Sequence, residues 1–195
     1  LSSDLSTLLT GRYIPLEVHP LRFSEFVDFQ RASGLETNLL EAWPLYLRYG
    51  GFPGLHSLEL ADDPVFTYLN SLYSTIVLKD VVNRQDIREP SQLDHIIRFV
   101  FDNCGNITTA KRISDYLAAQ QVKLPVARAV SYLGYLEDAY LLHRCRRYDL
   151  KGLRHLELYD KFYPADVGLR HGLIGYREND ISGLLENVVY LELRA

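Results

Sequence analysis

The hydrophobic period of this chain changes at Ala139, and that change restricts the fold more than any other feature. Upstream, Leu93, Ile96, Ile97, Val100 and Phe101 follow the i, i+3, i+4, i+7, i+8 spacing of a core-facing helix. Ala110, Ile113, Tyr116 and Leu117 mark one face of a second, short helix over 109–119. A polar break at 120–123 follows. Pro125 then suits the first turn of a third helix, where its missing N–H leaves no bond unmade. The stripe expected to be buried on that helix is Val126, Val130, Leu133, Leu136 and Tyr140. Downstream of Ala139, residues 141–148 and 154–161 read as two strands, with Asp149-Leu150-Lys151-Gly152 as the turn between them. Three helices closed by a β-hairpin is the order of a winged helix-turn-helix. The expected fold class is therefore mainly α with a small β component: a helical connector followed by a winged helix-turn-helix of three helices plus a β-hairpin.

The N-terminal part is expected to be helical. Residues 2–9 read as a helix ending at Gly11, 13–18 as a strand, and 21–30 as a short helix capped by Ser24. Between Gly34 and Gly54 the apolar residues suit a helix broken or restarted at Pro44 and stopped by the Gly50-Gly51 pair. Asp63-Pro64 is a cap and first-turn pair for a long helix over 64–83, with Phe66, Leu69, Tyr73, Ile76 and Val77 facing inward.

Composition excludes some classes. A net charge of −4 and a pI of 5.9 are not those of a polycation, so any basic surface must be local. The two cysteines, Cys104 and Cys145, lack metal-type spacing and read as reduced, buried thiols, which fits a cytoplasmic protein. No apolar run approaches the roughly 20 residues of a membrane span, and no signal peptide is evident. The sequence has no methionine, opens within an apparent helix and stops within another, as a piece of a longer protein would. It contains no GxxxxGK[ST], GxGxxG, HExxH or GxSxG, and its six histidines are scattered without ligand spacing. No complete catalytic site and no metal site are expected.

The hairpin is the candidate surface. Arg144, Arg146, Arg147, Lys151 and Arg154 face a single acid, Asp149. Such a cluster can contact the phosphates of duplex DNA, or it can form a solvated or interdomain salt-bridge surface. The third helix favours the second reading. Outside its stripe it offers Arg128 with Glu137 and Asp138, and no Asn, Gln or Lys to read bases. A protein partner held by the aromatics of 46–52, or by Tyr132 and Tyr135, is a further reading. Arg12, between a helix and a strand, is structural by default. Glu186 lies on an apparent helix with Leu184, Leu185, Val188 and Leu191 buried, and reads as a capping or pairing carboxylate.

Seven stretches, LSSDLSTLLTGRY, PLRFSEF, YLRYGGFP, STIVLKDVVNR, VSYLGYLEDAYLLHRCRRYD, KFYPADVGLR and GLLENVVYLEL, run across nearly the whole chain. In that order they resemble the prokaryotic P-loop ATPases of the AAA superfamily (archaeal-ATPase-like) whose C-terminal half is a domain of unknown function. YGGFP, KFYPADVGLR and LLENVVY are specific only in combination. The resemblance implies that the Walker segments, and with them ATP and Mg, belong to a missing N-terminal ATPase core. Residues 1–62 would then be the end of that core and the start of a helical connector, 63–90 the connector, 91–170 the winged helix, and 171–195 the start of a truncated endonuclease-like region. Arg12 in LTGRY would approach the γ-phosphate as a sensor or arginine finger, because a guanidinium neutralises charge on the transferred group. Glu186 would match a helix glutamate ahead of an Asp…Glu-x-Lys site that lies beyond this sequence. Leu124 departs from the pattern, which expects a Ser cap there, at a cost of about 1 kcal/mol. The implied partners are the ATPase core and either duplex DNA or a protein, with no membrane.

Overall fold

Helix starts and stops are set by a few side chains. In the computed structural model, which describes residues 16–149, 152, 154–177 and 180–194, the first helix, α1 (Phe23–Ala32), is opened by Glu25 rather than Ser24. The Glu25 carboxylate accepts from the Arg22 backbone N–H at 2.8 Å. The helix expected over 2–9, the start of the strand expected at 13–18, and Arg12 lie outside the described residues; residues 16–18 are not in a strand. The cap of α2 (Leu39–Tyr49) is Asn38, whose side chain accepts from Leu40 N–H at 3.0 Å. This helix runs through Pro44 instead of breaking there. Proline orphans only the carbonyl four residues earlier, and that residue, Leu40, is 83% exposed, where water takes the place of the lost donor.

A 3₁₀ turn (Pro53–Ser57) leads to α3 (Asp62–Thr75), with Asp62 and Asp63 in its first turn. From Ile76 to Asn83 the chain keeps winding, but in wider π-type turns. That widening rotates the inner face. Beyond Thr75 it is Val81 that is buried, whereas Ile76 and Val77 are only half-buried; in the regular helix before it Val65, Leu69 and Tyr73 are buried and Phe66 is half-buried.

Helix α4 (Pro90–Asp102) buries Leu93, Ile96, Ile97, Val100 and Phe101, as their spacing requires. After β1 (Ile107–Thr108) comes α5 (Ala110–Ala119), capped by the Thr109 hydroxyl, which accepts from Arg112 N–H at 3.1 Å. Helix α6 (Val126–Asp138) is turned from its expected orientation. Its buried face is Ala129, Tyr132, Leu133 and Leu136, while Val126 and Val130 are 43% and 56% exposed. The small Ala129 takes an inner position that the longer valines were expected to hold. The helix ends in a Schellman arrangement: Tyr140 N–H donates to Glu137 C=O and Leu141 N–H to Leu136 C=O, both at 3.0 Å. Tyr140 is therefore left-handed (φ 55°) and exposed, and the fully buried Leu141 starts the hairpin.

Strands β2 (Leu142–Asp149) and β3 (Arg154–Pro164) pair antiparallel, and β1 joins the other edge of β3, giving the order β1-β3-β2. Pairing is regular from Leu142↔Pro164 to Cys145↔Lys161 and then slips, so that Arg147 faces Leu156. Arg146 alone spans 157–160, and Tyr159 takes φ 79° in that bulge. The hairpin thus has an inner half on the core and an outer half beyond the bulge.

Helix α7 (Val167–Ile174) packs against α2, α3 and α4. Helix α8 (Ile181–Arg194) buries Leu184, Asn187 and Val188, but Leu185 is 38% exposed and Leu191 half-buried, so its stripe is narrower than expected. One apolar cluster joins α4, α5 and α6 to Leu142, Phe162 and Leu169, and a second joins α1, α2, α7 and α8. The described chain is mainly helical with one small three-stranded antiparallel sheet. None of its described helices is long and apolar enough to cross a membrane.

Candidate functional site

YGGFP and KFYPADVGLR, far apart in sequence, meet at Asp166. This residue caps α7, its carboxylate accepting from Leu169 N–H at 2.8 Å and, across the fold, from Gly51 N–H at 2.7 Å. Burial pushes its carboxyl up to about 6, although the N–H groups of Gly51, Leu169 and Gly168 pull the other way. The junction has no spare room. A Cβ on Gly168 would lie 1.8 Å from the Tyr49 carbonyl oxygen, and one on Gly51 would lie 2.1 Å from that of Leu21. Arg170, 1% exposed, donates from Nε to the Phe101 carbonyl at 2.8 Å and pairs through Nη2 with Asp180. His171, beside it, sits 3.2 Å from the Leu47 carbonyl, and burial lowers its pKa to about 4. These motif residues hold α2, α4 and α7 together, and Tyr46, Ala165 and Asp166 also line a small pocket with His19, Leu21 and Arg194.

The hairpin cations separate into different roles. Arg144, on the inner half, donates from Nε to Asp160 Oδ2 at 2.6 Å, and the Asp160 side chain is only 6% exposed. It is committed to that carboxylate. Arg146, at the bulge, and Arg147, on the outer half, are exposed and form no ion pair among the described residues. Lys151 lies outside the described residues. Arg154 opens β3 opposite Asp149, and its side chain also lies outside them.

On α6, Arg128 donates to the Gln92 side chain at 3.0 Å and lies 3.8 Å from Glu89, so it is tied to α4. Around it the outer face of α6 is apolar at Val126 and Val130. Glu137 is held above the ordinary carboxylate range by burial.

Glu186 projects from α8 onto the sheet, where it accepts from Lys161 Nζ at 2.7 Å and from the Tyr163 hydroxyl. Burial pushes its carboxyl up, but these two donors outweigh it and leave the pKa below the usual range. Sequence reasoning found Glu186 but missed Lys161 and Tyr163, two residues apart on β3 and so on one face of it. The same face continues to His143, opposite Tyr163 in the ladder. His143 is buried, its Nε2 has no hydrogen-bond partner among the described residues, and burial lowers its pKa to about 4. Tyr163 stacks on Tyr190 of α8 at 4.3 Å. Cys104, buried, has its thiol pushed up to about 12 by burial, which makes it a poor nucleophile. Among the described residues no cluster of three His, Cys, Asp or Glu could hold a metal ion.

The family described as "Domain of unknown function (DUF8612)" matches residues 40–180, which run from α2 to the start of α8 and include the Asp166 junction and the hairpin. The chain belongs to that family. Two relatives of this member extend over its whole length. An uncharacterized protein of Haemophilus influenzae is 33% identical over 194 residues, covering 99% of this chain and 48% of its own length. An uncharacterized protein of Methanocaldococcus jannaschii is 30% identical over 203 residues, covering 100% of this chain and 44% of its own. The chain therefore spans about half the length of the curated relatives it matches.

Proposed function

We propose that this chain is the part of an AAA-type P-loop ATPase that follows the nucleotide-binding core, and that α4, α5, α6 and the β2–β3 hairpin form a winged helix serving as a protein-docking unit. The observation that carries the docking role is the outer face of α6. It exposes Val126 and Val130, and its one arginine, Arg128, is held by Gln92 and Glu89. A helix that reads bases needs free Arg, Lys, Asn or Gln on that face. An apolar face seeks a protein surface. The element order and the seven family-like stretches support the ATPase part of this reading.

On this reading ATP and Mg bind in the missing core, Arg12 serves as its sensor or arginine finger, and the whole works in the cytoplasm. Lys161 and Tyr163 hold Glu186 as a brace between α8 and the sheet. Titrating Mg-ATP into the 195-residue chain should give no low-micromolar binding, and tight binding would overturn the assignment.

The exposed Arg146 and Arg147 favour a second reading, in which the hairpin contacts duplex DNA. Two phosphate contacts would give a log–log salt slope near −2. Anisotropy with a labelled duplex at about 50 mM salt separates the readings. Binding that falls steeply with salt and vanishes in R146A/R147A establishes the second, and no binding eliminates it.

A further inference from the structure

The end of α1, the start of α2 and residues 58–60 leave between them a groove of about 450 Å³, far from the hairpin in sequence and unused by the reading above. Its apolar lining includes Leu35, Leu45, Leu58 and Leu60, and Leu35 is 56% exposed. Along the groove stand Glu36, Glu41 and Glu59, all exposed, and no cation lines it among the described residues. None of the three carboxylates forms an ion pair with a described residue.

Gln30, 4% exposed, also lines the groove and adds an amide to its polar rim.

We propose that this groove docks a basic, amphipathic segment of a partner protein, with leucine-sized side chains between Leu35 and Leu60 and Lys or Arg against Glu36, Glu41 and Glu59. The charge pattern selects this occupant. The carboxylates repel the phosphates of a nucleic acid or an anionic membrane surface and leave a cationic peptide as the complement. Apolar burial supplies the affinity, while exposed ion pairs supply specificity and salt dependence.

The test uses the 195-residue chain and a labelled 18-residue helical peptide with leucines at i, i+3, i+4 and i+7 flanked by lysines. A matched peptide carries glutamates in place of the lysines. Fluorescence anisotropy should show saturable binding of the lysine peptide and none of the glutamate peptide. Binding should weaken about tenfold in Glu41→Lys/Glu59→Lys and be lost in Leu35→Asp. Each altered side chain is exposed, so circular dichroism should find the fold unchanged. Three results would overturn the proposal: equal binding of both peptides, lysine-peptide binding that both variants leave unchanged, or a concentration-dependent dimer that Leu35→Asp abolishes, which would make a second copy the occupant.

Discussion

Replacing Asp166 with alanine removes the acceptor that joins α2 to α7, and the structure sets the size of the loss. At pH 5 the substitution orphans the buried N–H groups of Gly51 and Leu169, now bonded at 2.7 and 2.8 Å. Each costs about 1–3 kcal/mol, so the variant should be about 4 kcal/mol less stable, a large part of a typical domain's margin. The sign with pH follows from the raised pKa. A carboxyl at about 6 in the folded chain, against 3.8 in the reference state, stabilises the fold below 3.8 and loses that contribution as pH rises through 6. The wild type therefore loses about 1.4 kcal/mol between pH 5 and 8 that the alanine variant does not, and the gap between the two should narrow by that amount. Urea denaturation of both proteins at both pH values measures it through midpoint and slope. A loss below about 1 kcal/mol at pH 5, or a gap that widens towards pH 8, would refute the reasoning.

Other substitutions probe other elements. With His171 lowered to about 4 from 6.5, its contribution is complete above 6.5 and is lost as pH falls. His171→Gln should therefore reduce the wild-type stability loss between pH 7 and 5 by about 2 kcal/mol in denaturant titrations. Tyr140→Gly should raise stability by about 1 kcal/mol, read as a higher Tm, because φ 55° suits glycine and the tyrosine is already exposed; a lower Tm would show that the Tyr140 side chain matters more than its backbone. Arg144→Ala strands the buried Asp160 carboxylate and should cost about 3 kcal/mol, while Arg147→Ala should stay within about 0.5 kcal/mol. Equal losses would contradict the division between the inner and outer hairpin.

The legible parts of the fold were those where one local pattern decides the outcome. Leu93 to Phe101 form a helix with the expected inner face, and the first hairpin strand begins at Leu142, within a residue of the expected 141. The errors have physical causes. Pro44 was tolerated because the carbonyl it orphans faces water, and the π-type turns at 76–83 moved burial to Val81 with no composition signal. On α6, size rather than hydrophobicity chose Ala129 over Val126 and Val130. The Gly50-Gly51 pair was read as a helix stop, and it is one. Its second role, admitting Asp166, depends on a residue 115 positions away from Gly51. The Lys161–Tyr163–Glu186 contact was invisible for the same reason, since only tertiary structure brings α8 onto β3.

We propose that the partner of the α6 face is the ATPase core itself, which is tested most directly by Mg-ATP turnover of the longer polypeptide that, on this reading, carries the chain. The unmodified polypeptide should hydrolyse Mg-ATP, and Val126→Glu/Val130→Glu should lower turnover about fivefold or more without lowering the Tm of the 195-residue chain. No turnover by the unmodified polypeptide, or turnover that the double substitution leaves unchanged, would contradict it.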